Sequence, residues 1–303
     1  MKKVGSNIWE ELGRREELIR NAYDKAKVVL KPKQGLSLAL EEANALVAGL
    51  KSTKLPSDAA VRAAVQAFHV IYSIADSIEI CLHSGLDISE HLARMATGTT
   101  DFGTPSKKVG KIYFKDFEYE LFVASCLIRR GLKPEFLEDR SDPMGEMSVD
   151  GIFIECKHPN SNGQIERNIS KFALKLREAG KLGIFAIALE DLHHLGDREA
   201  FATELEYQVW LEAKREEMKI SGTRRAAFAS RFGNILGLIH TQSLVEIVGE
   251  GTKMRRLGAS VLFDRPSQDL TTARAIAEVF DLYPVFYSQV QPAESAVPEI
   301  QAT

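Results

Sequence analysis

Glu155-Cys156-Lys157 closes the apolar run Ile152-Phe153-Ile154 and sets two opposite charges at its tip. Side chains alternate along a strand, so Ile152, Ile154 and Cys156 share one face. Phe153, Glu155 and Lys157 share the other, with Glu155 and Lys157 about 6 to 7 Å apart. Just before the run, Asp150-Gly151 separates it from another apolar segment. Asp-Gly in that setting signals a two-residue hairpin turn, because both residues tolerate positive φ. The turn predicts a register of Val149 with Ile152, Ser148 with Phe153, Met147 with Ile154, and Glu146 directly across from Glu155. Like charges opposed at roughly 5 Å destabilise a sheet unless something positive lies between them, and a divalent cation would serve. Two carboxylates and an ammonium on one face suit phosphodiester hydrolysis. There carboxylates hold Mg²⁺, the metal acidifies a bound water, and lysine stabilises charge or positions the nucleophile.

The elements that must carry this cluster follow from periodicity. From Asn7 to about Thr97 the spacing is helical throughout, with Ser57 a suitable N-cap for the third helix. The aperiodic Thr97 to Gly110, rich in Gly, Thr, Pro and Lys, reads as a boundary. Beyond it comes the helix FKDFEYELFVASCLIRRG, closed by Gly131. Strands are expected at Pro134 to Leu137, Gly145 to Val149, Ile152 to Lys157, Gly183 to Leu189, Ile235 to Val248 and Leu257 to Phe263. Helices are expected near Gly163 to Ala179, Glu204 to Lys219 and Thr271 to Phe280. The expectation is an α/β fold with a mixed central sheet flanked by helices. The helical N-terminal region is assigned to 1–100, the α/β domain to 110–290, and a disordered tail to 291–303, a Gln, Pro, Ala and Ser composition setting in after Tyr287.

These residues resemble the PD-(D/E)XK nuclease superfamily, the restriction-endonuclease-like fold, whose core carries an acidic residue on one hairpin strand and D/E-x-K on the next. Glu155-Cys156-Lys157 matches the second motif. Gly145-Glu146 stands where Pro-Asp is usual, so Asp142 in SDPMGE competes with Glu146 for the place of first acidic ligand. The resemblance also implies a glutamate on the helix before the hairpin. Glu120 fits its rhythm with Leu127 and Gly131, and Glu118 fits less well. It implies a following helix with polar residues turned to the site; Gln164, Asn168 and Lys171 form one stripe with Arg167 beside it, and Gln164 is the strongest of these. The family would make the chain a Mg²⁺-dependent nuclease, with Mn²⁺ an alternative ion. Glu146, Glu155 and Glu120 would be ligands, and Lys157 and Gln164 would act with them. DNA would be the substrate in preference to RNA, in restriction or phage defence.

E-x-K alone is weak, and Glu212-Ala213-Lys214 and Glu217-Met218-Lys219 repeat it inside a charged helical run. The apolar strand, the turn, Glu146 and the preceding helix set Glu155-Lys157 apart. A net charge of -3 on 303 residues argues against binding nucleic acid by bulk positive charge. The basic clusters Lys107-Lys108-Lys111-Lys115, Arg129-Arg130-Lys133, Arg224-Arg225 and Lys253-Arg255-Arg256 read singly as surface charge. Cys81, Cys126 and Cys156 show no ligand spacing and read as buried thiols of a cytoplasmic protein; the sequence carries no signal-peptide or membrane-span pattern. His193-His194 reads as solvated loop. The alternative function is a nuclease-like fold that no longer cuts and binds nucleic acid or protein. The helical region is expected to position substrate, mediate homodimerisation or hold a regulatory partner.

Overall fold

The structure is a computed structural model that describes residues 8–50, 58–97, 114–137, 145–159, 161–189, 200–248, 251–265, 270–281 and 286–290. In chain order the elements are α1 (Ile8–Lys25), α2 (Gly35–Leu50), α3 (Asp58–His83), α4 (Ser89–Thr97), α5 (Phe114–Arg129), β1 (Glu135–Phe136), β2 (Met147–Val149) and β3 (Ile152–Lys157). They continue with α6 (Asn162–Ala179), β4 (Leu182–Ala188), β5 (Ala200–Phe201), α7 (Glu204–Ala229), β6 (Ile235–Val248), β7 (Gly251–Leu262), α8 (Thr271–Asp281) and β8 (Phe286–Val290). Ser57, Asp142, His193, His194 and the tail 291–303 lie outside the described residues.

The strands form one mixed sheet in the order β1-β2-β3-β4-β6-β7-β8, with β5 beside the far end of β6. Its centre is parallel, β3 to β4 to β6, and both wings are antiparallel. Parallel neighbours need crossovers, which α6 and α7 supply. Buried by helices on both faces, β4 carries the apolar run LGIFAIA rather than an alternation. This is an α/β architecture.

The two faces have separate cores. Phe153, Phe185, Ile187 and Leu238 pack with α6 and α7, through Phe172 and Tyr207 among others. Ile154, Cys156, Ile184, Ala186 and Ile239 face the other way, in a cluster that runs from Leu12 through α5 to Phe280. The N-terminal helices belong to that second core: α1 and α2 pack on α3, and α3 and α4 pack on α5, which lies against β3. The reason is compositional, since α5 buries every residue from Phe117 to Leu127 and so needs cover on more than one side.

Boundaries depart from expectation where packing overrides local preference. α6 starts at the Ser161 cap and ends at Gly180 in the left-handed conformation, close to prediction. α7 begins with a Thr203–Glu206 capping box but runs past Lys219 to Ala229. Ser221-Gly222-Thr223 weakens a helix intrinsically, yet Gly222 is buried against His240, where an added Cβ would lie 3.3 Å from the ring. At the other end of the chain, β8 pairs with β7 through Val290, so strand replaces the disorder expected from Tyr287 to that point.

Candidate active site

The hairpin forms with the predicted turn: Asp150 has φ 46° and Gly151 φ 80°. Val149 pairs Ile152, Ser148 pairs Phe153 and Met147 pairs Ile154, as the turn requires. One step further the register changes. The Glu146 N–H donates to the Ile154 carbonyl at 3.0 Å, so Glu146 and Met147 both oppose Ile154, the mark of a bulge. Gly145 makes this possible with φ 116°, in a place where a Cβ would sit 2.8 Å from the Ile154 oxygen. Direct opposition of Glu146 and Glu155 across the ladder is therefore corrected. The outer side of the bulge is fixed by the Leu137 N–H, which donates to the Glu146 carbonyl at 3.1 Å.

From the bulge the Glu146 side chain reaches along β3. Its Oε2 accepts from the Cys156 backbone N–H at 2.7 Å, and its Oε1 accepts from Lys157 Nζ. Lys157 Nζ also lies 2.7 Å from Glu155 Oε1. The positive charge that two neighbouring carboxylates demand is thus supplied by the chain's own ammonium. Cys156 points into the opposite core, as alternation predicts, and burial pushes its thiol well above the ordinary cysteine range.

The cluster holds more acids than bases in a low-dielectric place. Burial pushes the Glu146 carboxyl up to about 8; Lys157 opposes the rise, while Glu155 and Glu120 add to it. Burial alone would depress the Lys157 ammonium, but the Glu146 and Glu155 charges outweigh it and hold it above the ordinary lysine value. Glu120, buried on α5, stands within electrostatic reach of this group, and its Oε2 lies 2.9 Å from Nε2 of His91 on α4. His91 is a residue that sequence reasoning missed.

The chain gives no significant match to any family model, curated protein or solved structure. Its chemistry therefore has to be argued from the site itself.

The remaining expectations separate. Glu118, two residues before Glu120, is engaged elsewhere: Arg256 on β7 contacts both its oxygens, at 3.1 and 3.2 Å, and Ser73 of α3 donates to it at 2.8 Å. Arg256 is thus a buried partner rather than surface charge. On α6, Gln164 and Asn168 are half-buried on the flank of the stripe Ile165-Ile169-Phe172, while Arg167 and Lys171 are exposed. The E-x-K copies on α7 sit in surface ion pairs, Lys214 with Glu217 and Lys219 with Glu216. Among the described residues no group of three or more His, Cys, Asp or Glu side chains is placed to hold a metal ion, and no helix is long and apolar enough to cross a membrane. A Mg²⁺ site nevertheless needs only one or two carboxylates, with waters and substrate phosphate completing the shell, and Glu146 with Glu155 is such a donor pair.

Proposed function

We propose that the chain is a metal-dependent nuclease of the restriction-endonuclease-like type, acting on DNA in preference to RNA. The observation that carries this reading is the convergence of Glu146, Glu155 and Lys157 at the end of a buried hairpin, with Glu120 behind them. The order of elements supports it too: a helix with an inward glutamate, a hairpin, the E-x-K strand, then a helix, found here as α5, β2–β3 and α6.

Glu146 and Glu155 would hold Mg²⁺, or Mn²⁺, and such an ion supplies an acidified water and a counter-charge for phosphate. The residues themselves define the rest. Cys156's amide fixes one oxygen of Glu146, leaving Oε1 to face Lys157. Lys157, protonated throughout the neutral range, is suited to stabilise a phosphorane-like charge and unsuited to act as a base. Its substitution Lys157→Ala is expected to lower metal-dependent cleavage of labelled DNA by roughly 10²- to 10³-fold, the cost of losing one electrostatic donor. Wild-type cleavage in Mg²⁺ that survives the substitution would count against the assignment. A role in restriction or phage defence follows from the same reading and is tested by phage plating on cells that carry either form.

One observation favours a second reading, a silent fold that binds nucleic acid or protein. A carboxyl pushed up to about 8 is mostly protonated at neutral pH and competes poorly for a cation. Mn²⁺ affinity that disappears in Glu155→Ala separates the two, since a retired site has no reason to retain it.

A further inference from the structure

His91 lies on the apolar face of α4, beside Leu92, Met95 and Ala96, where a core histidine would by itself mean little. Its neighbours give it more meaning. Nε2 meets Glu120 Oε2 at 2.9 Å with both side chains almost fully buried, at 3% and 4% exposure. The ring also packs on Phe136 of β1, centroid to centroid at 3.9 Å, and meets Phe117 of α5 edge-on. Phe136 pairs with Met147, and the next residue, Leu137, donates its N–H to the carbonyl of Glu146. One imidazole therefore touches the glutamate behind the site and the short strand that fixes the backbone of the glutamate in front of it.

Resting on the nuclease reading above, we infer that His91 is a positioning residue for the carboxylate group, supplied to the α/β unit by the helical region. It orients Glu120 through Nε2 and braces the bulge that aims Glu146 through Phe136. Groups that hold carboxylates from behind fix their orientation, and their loss costs a site about 10- to 100-fold in metal affinity or activity. The helical region thereby acquires a defined role, because α4 completes the site's support. That region need not contact nucleic acid to be required for cleavage.

The test uses the full chain and Mn²⁺ as the probe, with affinity followed by electron paramagnetic resonance and cleavage of labelled DNA measured separately. His91→Leu removes the contact at similar volume. His91→Gln keeps an amide N–H near the place of Nε2. Thermal unfolding checks that both fold; should His91→Leu not, His91→Asn, whose shorter amide stops short of Glu120, replaces it. The expected result is a 10- to 100-fold loss of Mn²⁺ affinity and of kcat in the Leu or Asn variant, with KM for DNA little changed and substantial rescue by Gln. Wild-type Mn²⁺ affinity and cleavage in a folded Leu or Asn variant would overturn the positioning role alone. A wild type that neither binds Mn²⁺ nor cuts overturns the nuclease reading and this inference with it. Mn²⁺ binding that depends on His91 without any cleavage upholds the positioning role and removes only the nuclease.

Discussion

Two ionic clusters lie close to α5, and they are built on opposite principles. Around Glu118, one carboxylate meets one guanidinium in a two-pronged contact, each side chain is 4% exposed, Ser73 donates to Glu118 and Arg256 donates to Ser243. Arg256 also stacks over Phe122, 4.1 Å from its centroid. The group is neutral and sealed. Around Lys157, two carboxylates share one ammonium, which is 29% exposed while Glu146 and Glu155 are 14% and 9% exposed. With both carboxyls ionised these three groups would sum to -1 beside an opening to solvent, and burial together with that excess of acid keeps a proton on Glu146 up to about pH 8. Glu118 and Glu120 are two positions apart on the same buried helix, so burial of an acid alone does not tell the two clusters apart. What separates the two clusters is an excess of acids over bases beside an opening to solvent.

The largest expected effect tests the sealed side of this contrast. Arg256→Met leaves the Glu118 carboxylate buried without its guanidinium and is expected to lower stability by about 3–5 kcal/mol in urea unfolding. Adding Glu118→Met should restore much of it, because the loss reflects an uncompensated charge. A cost below about 1 kcal/mol would place Arg256 among surface charges and dissolve the comparison.

A smaller effect belongs to the open cluster. Gly145→Ala puts a Cβ 2.8 Å from the Ile154 oxygen at φ 116°. The strain is on the order of 1–3 kcal/mol, and the bulge has to shift to relieve it. Stability should fall by that amount and metal affinity with it, whereas the Arg256–Glu118 pair is untouched. Equal metal affinity in Gly145→Ala would mean that the bulge does not aim Glu146.

The gentlest test is pH. Glu146's folded pKa is raised, from an ordinary carboxylate value to about 8, so the folded state holds a proton that the unfolded state releases. Its contribution to stability is present at acid pH and is lost as pH rises toward 8; on the proposed function, metal affinity is expected to move oppositely, growing as the proton leaves. Glu146→Gln should flatten that part of the stability profile in melts between pH 5 and 8. The double variant Arg256→Met/Glu118→Met, which removes both charges of the sealed pair, should leave its slope intact.

Much of the hairpin was legible from residue order because Asp150-Gly151 fixes register through turn geometry, and the strict period of two then assigns faces. β3 and β6 have the predicted limits. The bulge was not legible: Gly145-Glu146 reads as a strand start, and only the close approach to Ile154 requires its positive φ. His91 sits in an apolar stripe, and its partner lies 29 positions on, on another helix, so no spacing connects them. Arg256 reads as one of a surface trio because Glu118 precedes it by 138 positions. Local physics writes turns and faces into short stretches. Long-range charge pairing leaves no such trace, and the edge pairing that makes β8 a strand leaves little.

The Cys156 amide that holds Glu146 gives the molecule a built-in reporter. A charge-assisted hydrogen bond to a carboxylate at 2.7 Å draws an amide proton's resonance downfield and slows its exchange with solvent. When the carboxyl is protonated that bond weakens, so this single backbone signal follows the ionisation of Glu146 with no substrate present. A ¹⁵N-labelled sample titrated across neutrality would therefore read the state of one acid from a neighbouring residue whose own side chain faces the other core.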